Sequence, residues 1–211
     1  MNYYAKYKTK YGGIKQTYEP NKERPNKFRG QPLIFNSLNL SIKQIVSQPN
    51  QSRNEISNII DKLYLGNCYN VLNLEKCKIL QDTNIQAILN ITTNTDTHYA
   101  DLLKGDYLQL PLLDLLTVDI SLVFDKAFEF IDSKISAGKP IYVHCQEGIS
   151  RSATIVIMYL MRKYKSTFQS TFDYVKSKRG CIDPNLGFIL KLMDEETVLT
   201  KIHGNLILFP L

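Results

Sequence analysis

Ile141-Tyr142-Val143-His144-Cys145-Gln146-Glu147-Gly148-Ile149-Ser150-Arg151-Ser152 is the stretch whose reading decides this chain. The run Ile141-Tyr142-Val143 predicts a buried strand leading into Cys145, Gly148 allows a tight turn, and Arg151 opens a helix. A loop curled between a strand and a helix N-terminus turns backbone N–H groups inward, and the helix dipole adds partial positive charge. Such a cradle fits a dianionic phosphate group without a metal, with Gln146, Glu147, Gly148, Ile149 and Ser150 as the N–H donors. Arg151 supplies a planar fork that holds two phosphoryl oxygens at once, a geometry lysine does not reproduce. The same field favours the thiolate of Cys145, which places a nucleophile under the anion.

Outward from this loop the chain has the texture of a layered α/β domain. Strands are expected over 62–66, 86–92, 107–112 and 140–145. Helical spacing runs over 70–82 and over 120–136, where Leu122, Ala127, Phe130, Ile131 and Ile135 mark one face and Gly138 suits the stop. After the loop come a long apolar helix over 151–164, a second over 168–178 with Phe168, Phe172 and Val175 on one side, and a third. For the third, Asp183-Pro184 reads as N-cap and first helical residue, Phe188, Ile189, Leu192 and Met193 as the buried side, and residue 199 as the end. The ending Leu206-Ile207-Leu208-Phe209-Pro210-Leu211 is apolar and is expected to dock on this domain or on a second copy.

Composition sets the bounds. The 211 residues, 44% hydrophobic and 22% charged, suit one soluble domain with an appendage. No apolar run approaches the roughly 18 residues that a membrane helix needs. The N-terminus has neither the apolar core of a secretory signal nor a glycine at position 2, so a cytoplasmic or nuclear home is expected. Cys68, Cys77, Cys145 and Cys181 form neither a disulfide framework nor a zinc pattern, and neither a metal nor another cofactor is expected. The net charge of +6 is uneven: residues 1–53 hold ten Lys/Arg against Glu19 and Glu23. That segment, rich in Asn, Lys, Gln, Tyr and Pro, reads as a basic, flexible extension. Residues 54–200 read as the domain and 201–211 as a short apolar tail.

The loop resembles the Cys-x5-Arg signature of protein tyrosine phosphatases. Ser150-Arg151-Ser152-Ala153-Thr154 and the helix ending Met158-Tyr159-Leu160-Met161 resemble its dual-specificity branch. The likeness extends through Leu63-Tyr64-Leu65-Gly66, Ile88-Leu89-Asn90-Ile91, Phe128-Glu129-Phe130-Ile131-Asp132 and Pro184-Asn185-Leu186-Gly187-Phe188, about residues 55–199 in all. It implies an α/β fold with a central mixed sheet flanked by helices. It also implies hydrolysis through a phosphocysteine on Cys145, with Arg151 binding the phosphoryl group. A general acid is needed to protonate the departing oxygen. Asp114, after Leu110-Pro111-Leu112-Leu113 and 31 positions before Cys145, stands where the family carries it. Asp119 reads instead as a helix N-cap. The resemblance gives Ser152 a hydroxyl that helps the thiolate leave in the second step, and makes His144 a buried support of the loop.

The stretch over 67–107 has no insertion of the kind that deepens a phosphotyrosine-only pocket, so phosphotyrosine and phosphoserine or phosphothreonine in a phosphoprotein are the expected substrates. The loop also lacks the lysines that lipid-phosphate relatives place there. Alternatives are a phosphoinositide, RNA 5′-phosphate or glycan phosphatase using the basic tail, and a non-catalytic phosphoprotein-binding module. Nucleic acid is not expected as a partner. Lys27 and Arg29 followed by Leu33-Ile34-Phe35 resemble docking peptides recognised by kinases of the mitogen-activated type.

Overall fold

The computed structural model describes residues 55–72, 83–94 and 106–209. The expected extension over 1–53 with its docking pattern, most of the helix expected over 70–82, Cys77, His98 and the last two residues lie outside them.

Five strands form one mixed sheet in the order β1-β2-β5-β3-β4. β1 (Ser57–Ile60) pairs antiparallel with β2 (Leu63–Asn67), while β2, β5 (Ile141–Cys145), β3 (Ala87–Asn90) and β4 (Tyr107–Gln109) are mutually parallel. Parallel strands place their C-terminal ends along one edge, the edge where open α/β sheets bind ligands. β5 lies at the centre and all five of its residues are buried, which explains an unbroken apolar run in place of an alternating one. β1 was not anticipated. It is a four-residue edge strand whose pattern reads against β2 alone.

The helices are α1 (Tyr69–Leu72), α2 (Phe124–Ser136), α3 (Arg151–Tyr164), α4 (Phe168–Lys178) and α5 (Leu186–His203). On one side, α3 packs on β5 and β2, α2 on β3 and β5, and α5 on α3. Residues Ser152 to Met161 of α3 are all buried, so this helix is apolar all round because it is covered all round. On the other side, Tyr142 of β5 joins Cys68, Val71 and Ile88 in a smaller core. Arg162 of α3 draws the helices together, reaching Asp125 of α2 and Glu195 of α5 at 2.7 Å each.

Two helix starts differ from expectation. Residues Ile120–Val123 form a 3-10 turn capped by Asp119, whose carboxylate accepts from Ser121 N at 3.0 Å. The tighter turn shifts the phase, so Phe124 is buried and Leu122 is left 83% exposed. In α5 the N-cap is Asn185, its side chain accepting from Phe188 N at 3.1 Å, because Asp183 N is held by Ile149 O at 2.9 Å in the preceding extended segment. The helix also runs to His203, and the buried positions after Leu192 are Glu195 and Leu199, with Met193 half-buried.

The tail docks on its own domain. Ile207 bridges to Ser166, Phe209 N donates to Ser170 Oγ at 2.9 Å, and the Phe209 ring lies 5.0 Å from Tyr164 and 4.5 Å from Tyr174. Phe209→Ala should therefore lower unfolding stability by about 3 kcal/mol, read as a fall in the urea midpoint at unchanged slope. A shift within about 0.5 kcal/mol would show that the aromatic contact adds nothing.

Candidate active site

β5 ends at Cys145, in register with Asn67 of β2, and the chain turns through Gln146–Ser150 into α3. Every carbonyl of that turn is bonded outward. Gln146 O accepts from Cys68 N at 3.2 Å, Ile149 O from Asp183 N at 2.9 Å and Ser150 O from Thr154 N at 2.9 Å. Gly148 O and Glu147 O accept from Arg179 Nε and Nη2 at 2.8 and 3.3 Å. A peptide unit whose C=O points out presents its N–H the other way, so the loop offers its N–H groups to its own centre. Gly148 is at φ +68°, and a Cβ there would come within 2.4 Å of Gly66 O. Glycine is required on both counts.

The side chains around this cradle come from separate elements. Cys145 is buried, and its Sγ accepts from Ser152 Oγ at 3.1 Å. Arg151 Nη1 donates to Leu112 O at 2.9 Å, which orients the guanidinium, while its Nε is buried without a hydrogen-bond partner. Asp114 Oδ2 stands 3.4 Å from that nitrogen, outside bonding geometry. Its Oδ1 accepts from Ser150 Oγ at 2.8 Å and from Asn185 Nδ2 at 2.7 Å. Ser150 is the N-cap of α3 by position but makes no side-chain cap. Its hydroxyl serves Asp114 instead, and the first N–H groups of α3 are left for an anion.

Thus Cys145, Arg151, Ser152 and Asp114, picked out in the sequence, lie together. At the other end of the loop Glu147 and Gln146 share Tyr69 Oη at 3.4 Å each, and Gln146 also accepts from Asn94 at 3.4 Å. Cys68 follows the register partner of Cys145, and burial with the nearby Cys145 and Glu147 pushes its thiol up to about 11. Cys181 is half-buried and His203 exposed. Among the described residues no cluster of three His, Cys, Asp or Glu could hold a metal ion, and no helix is long and apolar enough to cross a membrane.

The family sequence model described as dual specificity phosphatase, catalytic domain, matches residues 63–198. The chain belongs to this family. Dual specificity protein phosphatase 2 of Mus musculus is 40% identical over 139 residues, covering 66% of this chain and 42% of that protein. Dual specificity protein phosphatase 1 of Homo sapiens is 37% identical over 145 residues, covering 69% and 38%. The chain spans about two fifths of the length of these curated relatives. Among solved structures, the human tyrosine phosphatase-like serine/threonine/tyrosine-interacting protein is 31% identical, with 69% of this chain and 97% of that chain covered at a TM-score of 0.60.

Two residues of this dual specificity phosphatase domain were missed by sequence reasoning. Arg179 is fully buried and also donates to Glu55 O at 2.8 Å. It follows a helix end next to Gly180 and carries no periodic signal. Asn185 lies in a stretch that resembles the family, but its contact with Asp114 joins positions 71 residues apart.

His144, stacked 5.5 Å from Tyr142, is buried, and burial holds its imidazole down at about 4 against an ordinary 6.5. The unfolded imidazole takes up a proton below pH 6.5 and the folded one only below about 4. Stability present above pH 6.5 is therefore lost as the pH falls toward 4, by about 3 kcal/mol from this group. His144→Gln should flatten the urea-midpoint profile across that window relative to the parent. Parallel profiles would mean that the histidine does not titrate as its burial requires.

Proposed function

We propose that the chain is a protein phosphatase that hydrolyses phosphotyrosine and phosphoserine or phosphothreonine through a phosphocysteine. The observation that carries the reading is the buried Nε of Arg151, which makes no hydrogen bond, beside a loop whose carbonyls all turn outward above Cys145. A group that accepts N–H bonds from several sides and carries charge satisfies both.

The Cys145 thiolate attacks phosphorus while the bond from phosphorus to the substrate oxygen breaks. Asp114 gives its proton to that oxygen, so an alcohol or phenol departs in place of an alkoxide. Oδ2 is the oxygen suited to this, since Oδ1 is already shared by Ser150 and Asn185. The loop N–H groups of Gln146–Ser150 and the Arg151 fork hold the three equatorial oxygens as charge spreads over them. A water then attacks phosphorus, Asp114 takes its proton, and the S–P bond breaks to give inorganic phosphate and thiolate. Ser152 Oγ, 3.1 Å from Sγ, stabilises that leaving thiolate. His144 supports the loop from below as a neutral group.

The reading takes residues 54–200 as the catalytic domain, 1–53 as a basic extension and 201–211 as a short apolar C-terminal segment, with a cytoplasmic or nuclear setting. Lys27, Arg29 and Leu33-Ile34-Phe35 make a kinase of the mitogen-activated type the proposed partner. A second reading, a phosphoprotein-binding module without turnover, draws on the likeness to the tyrosine phosphatase-like interacting protein.

Phosphate release from phosphotyrosine and phosphothreonine peptides separates the two. Cys145→Ser should abolish release while leaving the circular dichroism unchanged, and an unchanged rate would sink the nucleophile assignment. Parent protein that binds these peptides and releases nothing would favour the binding module. Asp114→Ala should slow esters with poor leaving groups by about 10²-fold and good ones much less. Equal slowing would point to a different acid.

A further inference from the structure

We infer that Leu113, Leu115 and Leu116 form an apolar rim that selects phosphopeptides carrying large apolar residues next to the phosphorylated one. The inference rests on the reading of Asp114 as the acid, and adds what that reading leaves open: the sequence class of the substrate. The three leucines are 53%, 51% and 64% exposed within four residues that bracket Asp114. Single exposed leucines are ordinary, but three clustered at one site form a patch.

The exposure is held in place by the fold. Leu112 O is bonded by Arg151 and the Asp114 carboxylate by Ser150 and Asn185. Leu116 O rests on Gly187 at the start of α5, where a Cβ would come within 2.3 Å of it. Asp119, at the far end of the segment, is paired with Lys191 of α5 at 2.9 Å. The segment is thus bonded at 112, 114 and 119 and lies close against Gly187 at 116, with its three leucine side chains left exposed. Leu190, one helical turn after Gly187 and 50% exposed, continues the apolar surface along α5.

Any substrate whose leaving oxygen takes a proton from Asp114 must run its chain past the residues on either side of that aspartate. The opposite end of the loop carries the polar set Gln146, Glu147, Tyr69 and Asn94. The rim is thus apolar on the acid side and polar on the other, and the occupant of the apolar side is a peptide segment with Leu, Ile, Met or Phe within two positions of the phosphoresidue. Removing a half-exposed leucine and its partner from water favours such peptides by a factor that multiplies over two or three contacts.

The experiment compares kcat/KM of the full chain on phosphotyrosine and phosphothreonine peptides. Ser or Leu is placed in turn at the two positions on each side, with an aryl phosphate and a phosphoinositide in neutral vesicles run alongside. The expected result is an apolar preference of about tenfold at one or more positions, falling below about twofold in Leu115→Gln/Leu116→Gln. Because both residues face solvent, that variant should fold as the parent does; the preference in the parent is in any case a test by itself. A parent preference below about twofold, with aryl phosphate turnover that Cys145→Ser abolishes, overturns the rim and spares the catalytic reading. Turnover raised by the vesicles and indifferent to peptide sequence assigns the patch to lipid and overturns it too. Aryl phosphate turnover that survives Cys145→Ser removes the catalytic reading and the rim with it.

Discussion

The fully buried guanidinium of Arg179 holds Glu147 O and Gly148 O away from the centre of the loop, and the rest of the site depends on that constraint. A five-residue turn left to itself would point some carbonyls inward and repel an anion. Here Cys68, Asp183 and Thr154 bind the remaining carbonyls, so the turn after β2, the segment before α5, and α3 all share in shaping one short loop. Burying a cation is costly unless hydrogen bonds replace its water. Carbonyls of the loop and of Glu55 provide them, and the charge left beneath the cradle favours an anion above it.

The second dependence runs between the Asp114 segment and α5. Asn185 uses both ends of its amide: Oδ1 caps the helix at Phe188 N and Nδ2 donates to Asp114. Ser150 completes the link, donating to Asp114 and accepting from Asn185 N at 3.2 Å. The position of the Asp114 carboxylate is therefore set by a helix start and by the loop after β5 together. This coupling also anchors the segment that carries the three exposed leucines.

Much of the fold was legible because its signals are local. The run Ile141-Tyr142-Val143 read as a buried strand, residues 151–164 and 168–178 read as helices with the observed bounds, and Asp119 read as a cap. The apolar face drawn through Leu122 failed because a 3-10 turn advances side chains by a different angle from an α-helix. The α5 cap was placed two residues early because Asp183 is a good capping residue in isolation, and a backbone bond to Ile149 fixed it elsewhere.

Cys145, Gly148 and Arg151 are neighbours in the chain, so their spacing alone carried the proposed cradle, nucleophile and fork. Asp114 and Ser152 followed from resemblance to a family. Arg179 and Asn185 became visible in the tertiary structure, because what they do is satisfy groups 31 and 71 residues away. Sequence determined which reactive groups the loop carries, since that depends on residue types at short spacing. Tertiary structure decided how they are aimed, since a hydrogen bond between distant segments leaves no periodic trace in either of them.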